Sequence, residues 1–398
     1  MTAADRRLVA LLGGAIFFEG YGRSLVTVAL AYVGRDLGAS SDALSYALAA
    51  IALGSLGVLA LGPIADRIGR RRLLLASTVL FALLGAGTAL AGSLAGLVAW
   101  QLAARVFQEG ALFTAAVLAA EETSPASRAA AQGMLGTMNA LGAGFAALLL
   151  AAIGVVPGGW RGLCLMSLVP LALVPLLRRR VPESRHWLAH RGPRIALPPR
   201  AWRGRVAATL VVVALAMSYD VAAFAFATYV PVERHGWSAA EVSTMFIGAG
   251  LLGLPGWSVG GMLADRHGRR PIGVLFLLGL TIAELVFFLG GRRALWPGFA
   301  AMVFFQGGKM TIIRAWAAEL FPTSFRGAAA GWLTAAGAVG GMGGLAIAGA
   351  LAASVGGIHA ALAIVASAGV FAAAAVLAWL PETRGIDLGR PTADRVAE

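Results

Sequence analysis

Charge is scarce in this chain of 398 residues: Asp, Glu, Lys and Arg together make up 13% of it. A soluble domain carries about 25%. With so little polar sequence to cover a surface, a water-soluble enzyme of this size is all but excluded. The mean hydropathy of +0.80 excludes a disordered chain as well. Cysteine is nearly absent. Cys164 stands alone in an apolar run, so no intrachain disulfide and no Cys-based metal site can form, and it reads as a small core filler. Lysine occurs once, as Lys309, against 31 Arg in the 32 basic residues. Histidine is sparse, at His186, His190, His235, His267 and His359. With no Ser/His/Asp or metal-ligand cluster in sight, an enzyme embedded in a membrane is disfavoured. What remains is 59% hydrophobic sequence, 53 Gly and a net charge of +13. In a soluble chain that basicity would point to nucleic acid; here a membrane explains it better.

A bilayer-spanning helix needs about 20 apolar residues. Twelve runs of that kind can be placed, at 8–33, 42–61, 73–92, 94–120, 133–153, 161–177, 206–231, 239–263, 272–290, 295–318, 328–350 and 357–380. The first run is too long, and too soon followed by others, to be a cleaved signal peptide. The fold class is therefore all-α and integral to the membrane, with a six-helix bundle over 1–177 and a second bundle plus short tail over 206–398. An Arg-rich loop over 178–205 joins them.

The Arg residues test the topology. Placing the N-terminus in the cytoplasm puts 23 Arg on the inner side and five outside, at Arg35, Arg161, Arg234, Arg292 and Arg293. The remaining three, 31 − 23 − 5, lie inside spans. The positive-inside rule then sets both termini in the cytoplasm, and the expected location is the cytoplasmic membrane of a bacterium. The central loop holds nine Arg and one acid, Glu183, which reads as a topology anchor against anionic lipid or as a partner-binding segment.

Three signals recur at half the chain length. Gly62-Pro-Ile-Ala-Asp66-Arg67-Ile-Gly69-Arg70 returns as Gly261-Met-Leu-Ala-Asp265-Arg266-His-Gly268-Arg269, with an offset of 199 between Asp66 and Asp265. Glu122-Thr-Ser-Pro125 returns as Glu319-Leu-Phe-Pro322 at 197, and Pro182-Glu183-Ser184 as Pro381-Glu382-Thr383 at 199. Each copy closes a corresponding span. Six spans per repeat is an even number, so the copies keep one orientation: parallel repeats about an axis along the membrane normal.

These residues resemble the major facilitator superfamily. Its loop signature, Gly-x-x-x-Asp-Arg-x-Gly-Arg-Arg, is present twice in register. The Pro182-Glu183-Ser184 and Pro381-Glu382-Thr383-Arg384-Gly385 segments resemble the branch of sugar porters and metabolite:proton symporters. The Glu319-Leu-Phe-Pro322-Thr-Ser-Phe-Arg326-Gly327 segment does too. Phe-Phe-Glu19-Gly20-Tyr21 resembles the metabolite and aromatic-acid symporters. The resemblance implies that Gly62, Asp66, Arg67, Gly69, Arg70, Glu122 and Arg128 form a cytoplasmic latch. Asp265, Arg266, Gly268, Arg269, Glu319 and Arg326 form its second copy. The residue-level alternative is that the Arg only set topology and the Asp only cap helix ends.

An ionisable side chain at bilayer depth costs about 2.5–3.5 kcal/mol on insertion scales, so each is a functional candidate. Span 1 holds Glu19 and Arg23, span 4 Arg105 and Glu109 with Gln101 and Gln108, span 7 Asp220 beside Tyr219, and span 10 Gln306, Lys309 and Arg314. Spans 1, 4, 7 and 10 line the central cavity in the family the chain resembles. Glu284 in span 9 has no place in that scheme. The two i,i+4 pairs, Glu19/Arg23 and Arg105/Glu109, can equally be self-satisfied structural ion pairs. Asp220 has no partner on its own helix, so it needs one elsewhere or a proton. Glu19 and Asp220 are the proton-carrier candidates. Lys309 and Arg314 lie about 140° apart around a helix, so Lys309 with Gln306 is the first choice for the cavity, and Arg314, kept among the substrate-binding candidates with Glu19, Tyr21, Arg23, Arg105, Glu109 and Asp220, can pair elsewhere. Four cations against three anions, with Asn139 and Tyr21 nearby, favour an organic anion. Phe18, Tyr21, Phe224, Tyr229 and Trp316 could stack a ring or merely pack.

The expected function is secondary active transport by alternating access: proton-coupled symport of a small organic anion, aromatic acids included. The alternatives are efflux by proton antiport, sugar:proton symport and, in another class, a transporter-derived sensor, for which the tail is short. No cofactor beyond the proton is expected. The partners are a small molecule and the bilayer, with no nucleic acid, and the chain should act as a monomer.

Overall fold

The computed structural model describes residues 2–123, 127–184, 188, 203–321 and 326–384; the side chains of 4, 128–129, 317–318 and 326–330 fall outside that description. Most of the Arg-rich loop, the tail from 385, Pro125, Pro322 and the side chains of Arg128 and Arg326 therefore lie outside the described residues.

Among the described residues, eleven helices are long and apolar enough to cross a bilayer. In chain order they are α1 (Asp5–Val28), α2 (Ser41–Ile68), α3 (Arg70–Leu90), α4 (Leu94–Glu122), α5 (Ala130–Leu150) and α6 (Trp160–Arg180). Then follow α7 (Arg203–Ala225), α8 (Ala239–His267), α9 (Arg269–Leu289), α11 (Gly331–Ala352) and α12 (Ile358–Trp379). The helix between α9 and α11, α10 (Leu295–Glu319), is 25 residues long but carries Gln306, Lys309 and Arg314, which lower its hydropathy. The twelve expected spans are thus all helical.

Their ends differ from the apolar runs for local reasons. The first run breaks near Ala29, and a separate short helix, Leu30–Leu37, follows and stops at the left-handed Gly38. The seventh run likewise splits into α7 and the short helix Tyr229–His235. Conversely, α2 and α8 continue through the polar Asp-Arg motifs, because nothing stops a helix there until Gly69 and Gly268.

The chain divides into two compact units: Met1–Arg194 with Ala225–Ile247, and Ile195–Phe224 with Gly248–Glu398. In the first, α1 packs on α5, α3 on α4, and α4 on α1 and α2. Its apolar core contains Leu12, Ile16, Leu74, Phe81, Leu118 and Leu177. In the second, α9 packs on α10 and α12, and α8 on α10. Small residues set the closest crossings, as in membrane bundles generally. A Cβ on Gly142 would strike the Phe17 carbonyl of α1, and one on Gly344 the Ser218 carbonyl of α7. The same crossing is therefore built in both halves.

The first unit also ties down the segment it takes from the second half of the sequence. Arg35 Nε lies 2.7 Å from Glu233, joining the two short helices. The Thr228 hydroxyl donates to the Thr27 carbonyl at 2.8 Å, and Ser243 to the Ala147 carbonyl at 2.6 Å.

Candidate functional site

In the first unit α1 and α4 bring four ionisable side chains together. Arg23 is the hub: its Nε lies 2.7 Å from Glu19 and its Nη1 2.7 Å from Glu109. Glu19 is fully buried and also accepts from the Asn139 side chain of α5. Glu109 accepts from Ser55 of α2 as well. The spacing explains half of this arrangement. Glu19 and Arg23 share a face of α1 and pair, the alternative that their spacing left open. Arg105 and Glu109, however, do not pair with each other, so the alternative of a self-satisfied pair fails for this set. Glu109 reaches across to Arg23, because a guanidinium already aimed by Glu19 offers it a second fork of donors. Arg105 is left over. Its Nη2 donates to the Arg23 carbonyl at 3.3 Å, its Nε is buried without a hydrogen-bond partner, and it makes no ion pair among the described residues.

The other polar groups of this cluster divide. The Gln101 amide is held by Thr88 at 2.8 Å. Gln108 packs against Gly22, and its Oε1 is buried and unpartnered. Tyr21 sits about 200° around α1 from Glu19. It is fully buried, donates to the Leu163 carbonyl at 2.8 Å and packs on Phe145. Its hydroxyl is therefore engaged on the opposite face from the charges.

In the second unit α7 and α10 build a compact pair. Lys309 Nζ lies 2.5 Å from Asp220, with the two side chains 1% and 4% exposed. The ammonium also donates to the Ala216 carbonyl at 3.1 Å and stands 5.4 Å from the centre of the Tyr219 ring. Gln306 approaches the other Asp220 oxygen at 3.4 Å. Asp220 thus finds its partner on another helix. Arg314 is not in this cluster. It is exposed and lies over the Trp257 ring at 5.3 Å, on another face of α10 than Lys309, so its place among the substrate-binding candidates is corrected. Trp316 does join, lining a small pocket with Lys309 and Ile312. Phe224 packs on Phe299, and Tyr229 on Phe226.

The charge tally changes accordingly. With Arg314 outside and Glu284 buried in the second unit, the clusters hold Arg23, Arg105 and Lys309 against Glu19, Glu109, Asp220 and Glu284. The expected positive excess is gone.

The repeated loop motifs have matching geometry. Gly69 and Gly268 turn the chain at φ +103° and +108°, a region that favours glycine. Arg70 pairs with Asp66 at 2.6 Å and faces Glu121 at 3.6 Å. Arg269 pairs with Asp265 and, at 2.9 Å, with Glu319. The acid that corresponds to Glu319 in space is therefore Glu121 and not Glu122, one residue off the register that Pro125 suggested. The hydroxyl partners agree: Ser184 donates to Glu121, and Thr383 to Glu319 at 2.6 Å.

Sequence reasoning gave no role to the glutamates of the Pro-Glu-Ser/Thr segments, and the structure gives them one. Glu183 accepts from the Arg71 N–H at 3.0 Å, and Glu382 from the Arg269 and Arg270 N–H groups at 2.7 and 3.0 Å. Each carboxylate caps the free N-terminus of α3 or α9, where the helix dipole favours negative charge. Burial alone would push the Glu382 carboxyl up. The N–H groups of Arg269, Arg270, Arg384 and Thr383 hold it below its ordinary value instead.

Known proteins share this architecture. The family model described as Major Facilitator Superfamily matches residues 12–291 and 208–393. A gallate transporter of Pseudomonas putida is 27% identical over 404 residues, covering 91% of this chain and 89% of that protein. The 3-(3-hydroxy-phenyl)propionate transporter of Escherichia coli is 36% identical over 129 residues, 32% of each chain. Among solved structures, the xylose transporter XylE of Escherichia coli in a partially occluded inward-open conformation superposes with a TM-score of 0.78. It is 17% identical and covers 97% of this chain and all of that one.

Proposed function

The chain belongs to the Major Facilitator Superfamily, and from that premise we propose that it takes up a small organic anion, aromatic carboxylates included, together with a proton. That it is an integral membrane transporter rather than an enzyme follows from the family itself. The observation that carries the substrate class is Arg105. A half-buried guanidinium with an unpartnered Nε and no carboxylate of its own is a donor set awaiting an anion, and planar bidentate recognition of carboxylate is what arginine does best. The two relatives named above transport acids with an aromatic ring, which supports the same class. Gln108, with its buried free Oε1, would accept a hydrogen bond from a ring hydroxyl.

Proton coupling is assigned to Glu19 and Asp220. Each is a buried acid tied to one cation across a helix or a turn, so a proton on the acid releases that cation. The repeats alternate access by rocking. We place the protein in a bacterial cytoplasmic membrane with both termini inside, acting as a monomer with no cofactor other than the coupling proton.

The test uses purified protein in proteoliposomes with an acid exterior and labelled hydroxybenzoates, phenylpropionates and sugars. A one-unit pH difference is worth about 1.4 kcal/mol per proton, enough for about tenfold accumulation. Wild type should accumulate an aromatic carboxylate inward. Glu19→Gln and Asp220→Asn should lose accumulation, yet still exchange labelled for unlabelled solute. Full accumulation and undiminished proton flux in both variants would refute the coupling assignment. A sugar gradient without a carboxylate gradient would refute the substrate class, and a gradient built outward would refute uptake.

A further inference from the structure

Glu284 of α9 is a fully buried acid within the spans to which the transport site gives no role. Its side chain is fully buried, and neither carboxyl oxygen has a hydrogen-bond partner. Leu280, Ala283, Phe287 and Phe288, its neighbours along α9, are buried too. An ionised carboxylate in such a place would have neither water nor a donor to solvate its charge. The charged groups that act on it are Asp220 from α7 and Lys309 from α10, and Tyr219 of α7 senses it in turn. Among the described residues, no other charged group is found to act on Glu284. The titratable residues of α12 reduce to His359, in its first turn, and those of the second half of α8 are Asp265, Arg266 and His267, at its motif end.

One cation therefore stands among two acids. Lys309 is committed to Asp220 at 2.5 Å and to the Ala216 carbonyl, which leaves Glu284 without a counter-ion. Neutrality in a dry interior then requires one proton on the two carboxyls. We propose that Glu284 is a proton-binding residue of this transporter, sharing one proton with Asp220 around Lys309 and holding that proton in the arrangement seen here. When Asp220 takes up a proton, the Lys309 ammonium loses its carboxylate. Glu284 then releases its own proton and becomes the counter-ion. One proton is bound, one is released and the lysine charge is unchanged, so the pair relays a single proton. The inference rests on the proton-coupled reading of Asp220 and deepens it.

Infrared difference spectroscopy of the purified, substrate-free transporter at pH 7 tests it. Wild type should show the carbonyl stretch of a protonated carboxylic acid. Glu284→Gln and the apolar Glu284→Leu should both lose it, while Glu19→Gln should keep it. Asp220→Asn should also lose it, because Glu284 must then ionise to balance Lys309. No such stretch in wild type, or one that survives both Glu284 variants, overturns the proposal. A stretch that survives Asp220→Asn overturns the shared proton. Should one Glu284 variant fail to fold, the other carries the same reading; Leu suits the apolar neighbours and should unfold at no lower temperature than wild type. The spectra need no solute, so failure to find a transported acid would leave this result standing.

Discussion

Removing the hub of the first cluster should cost stability in a way that its neighbours can partly undo. Arg23 holds two carboxylates at 2.7 Å each, and its side chain is 26% exposed while theirs are 0% and 8%. Arg23→Met leaves both acids buried without a hydrogen-bonded cation, with Arg105 nearby but unpaired. Breaking a buried pair costs about 3–5 kcal/mol. The exposure of the guanidinium discounts that, but two acids are orphaned rather than one, so about 3–4 kcal/mol is expected. Glu109→Gln alone removes one charge-assisted hydrogen bond and leaves Arg23 with Glu19, at about 1.5–3 kcal/mol. Once Arg23 is gone, the same Glu109→Gln change removes an uncompensated buried charge. The double variant should therefore be no less stable than Arg23→Met alone, giving a coupling of about 1.5–3 kcal/mol. Denaturant unfolding of the four proteins in mixed micelles reads this cycle. Additivity within about 0.5 kcal/mol would mean that Arg23 and Glu109 do not interact as drawn, and the hub would be refuted.

Arg105→Met should leave unfolding nearly unchanged, since the side chain makes no ion pair. It should weaken binding of the transported carboxylate by about 10- to 100-fold, the worth of one charge-assisted hydrogen bond, as read by calorimetry. Gly268→Ala forces a φ of +108° on a residue with a Cβ. It also places that Cβ 2.6 Å from a Glu382 oxygen. A loss of about 1–3 kcal/mol in unfolding free energy is expected. Glu382 is held low in the folded state, so its contribution is full above the ordinary glutamate value near 4.3. That contribution should fade as pH falls through the lower folded value. The stability gap between wild type and Glu382→Gln should then be constant from about pH 7 to 5 and close on further acidification, which unfolding curves at four pH values can check.

The helices, their number and the doubling of the chain were legible without coordinates, because membrane insertion leaves a one-dimensional record. Apolar runs must match the bilayer thickness, and a duplicated motif keeps its spacing. The pairing of Glu19 with Arg23 was legible for the same reason, since both sit on one face of one helix. Helical spacing put Lys309 and Arg314 on different faces, yet it kept Arg314 among the site candidates, and its seat over the Trp257 ring came only from the structure. Contacts that need a second helix are not written in the spacing. Arg105 and Glu109 have the right spacing to pair, yet Glu109 turns to Arg23. Glu122 stands in register with Glu319, yet Glu121 meets Arg70. Two adjacent acids at a helix end differ by about 100° in direction, and only the neighbouring helix decides which one is used.

By itself, then, the sequence determined the membrane class, the twelve spans, the two-fold repeat and the list of charges that spans 1, 4, 7, 9 and 10 must accommodate. Tertiary structure decided how those charges are shared. It gave Asp220 to Lys309, two acids to Arg23 and none to Arg105, and it set Glu284 among apolar neighbours with no partner. The physical reason is that a charge in a low-dielectric interior is defined by what lies within a few ångströms of it. In a bundle of helices most of those neighbours come from other helices, far away in the sequence.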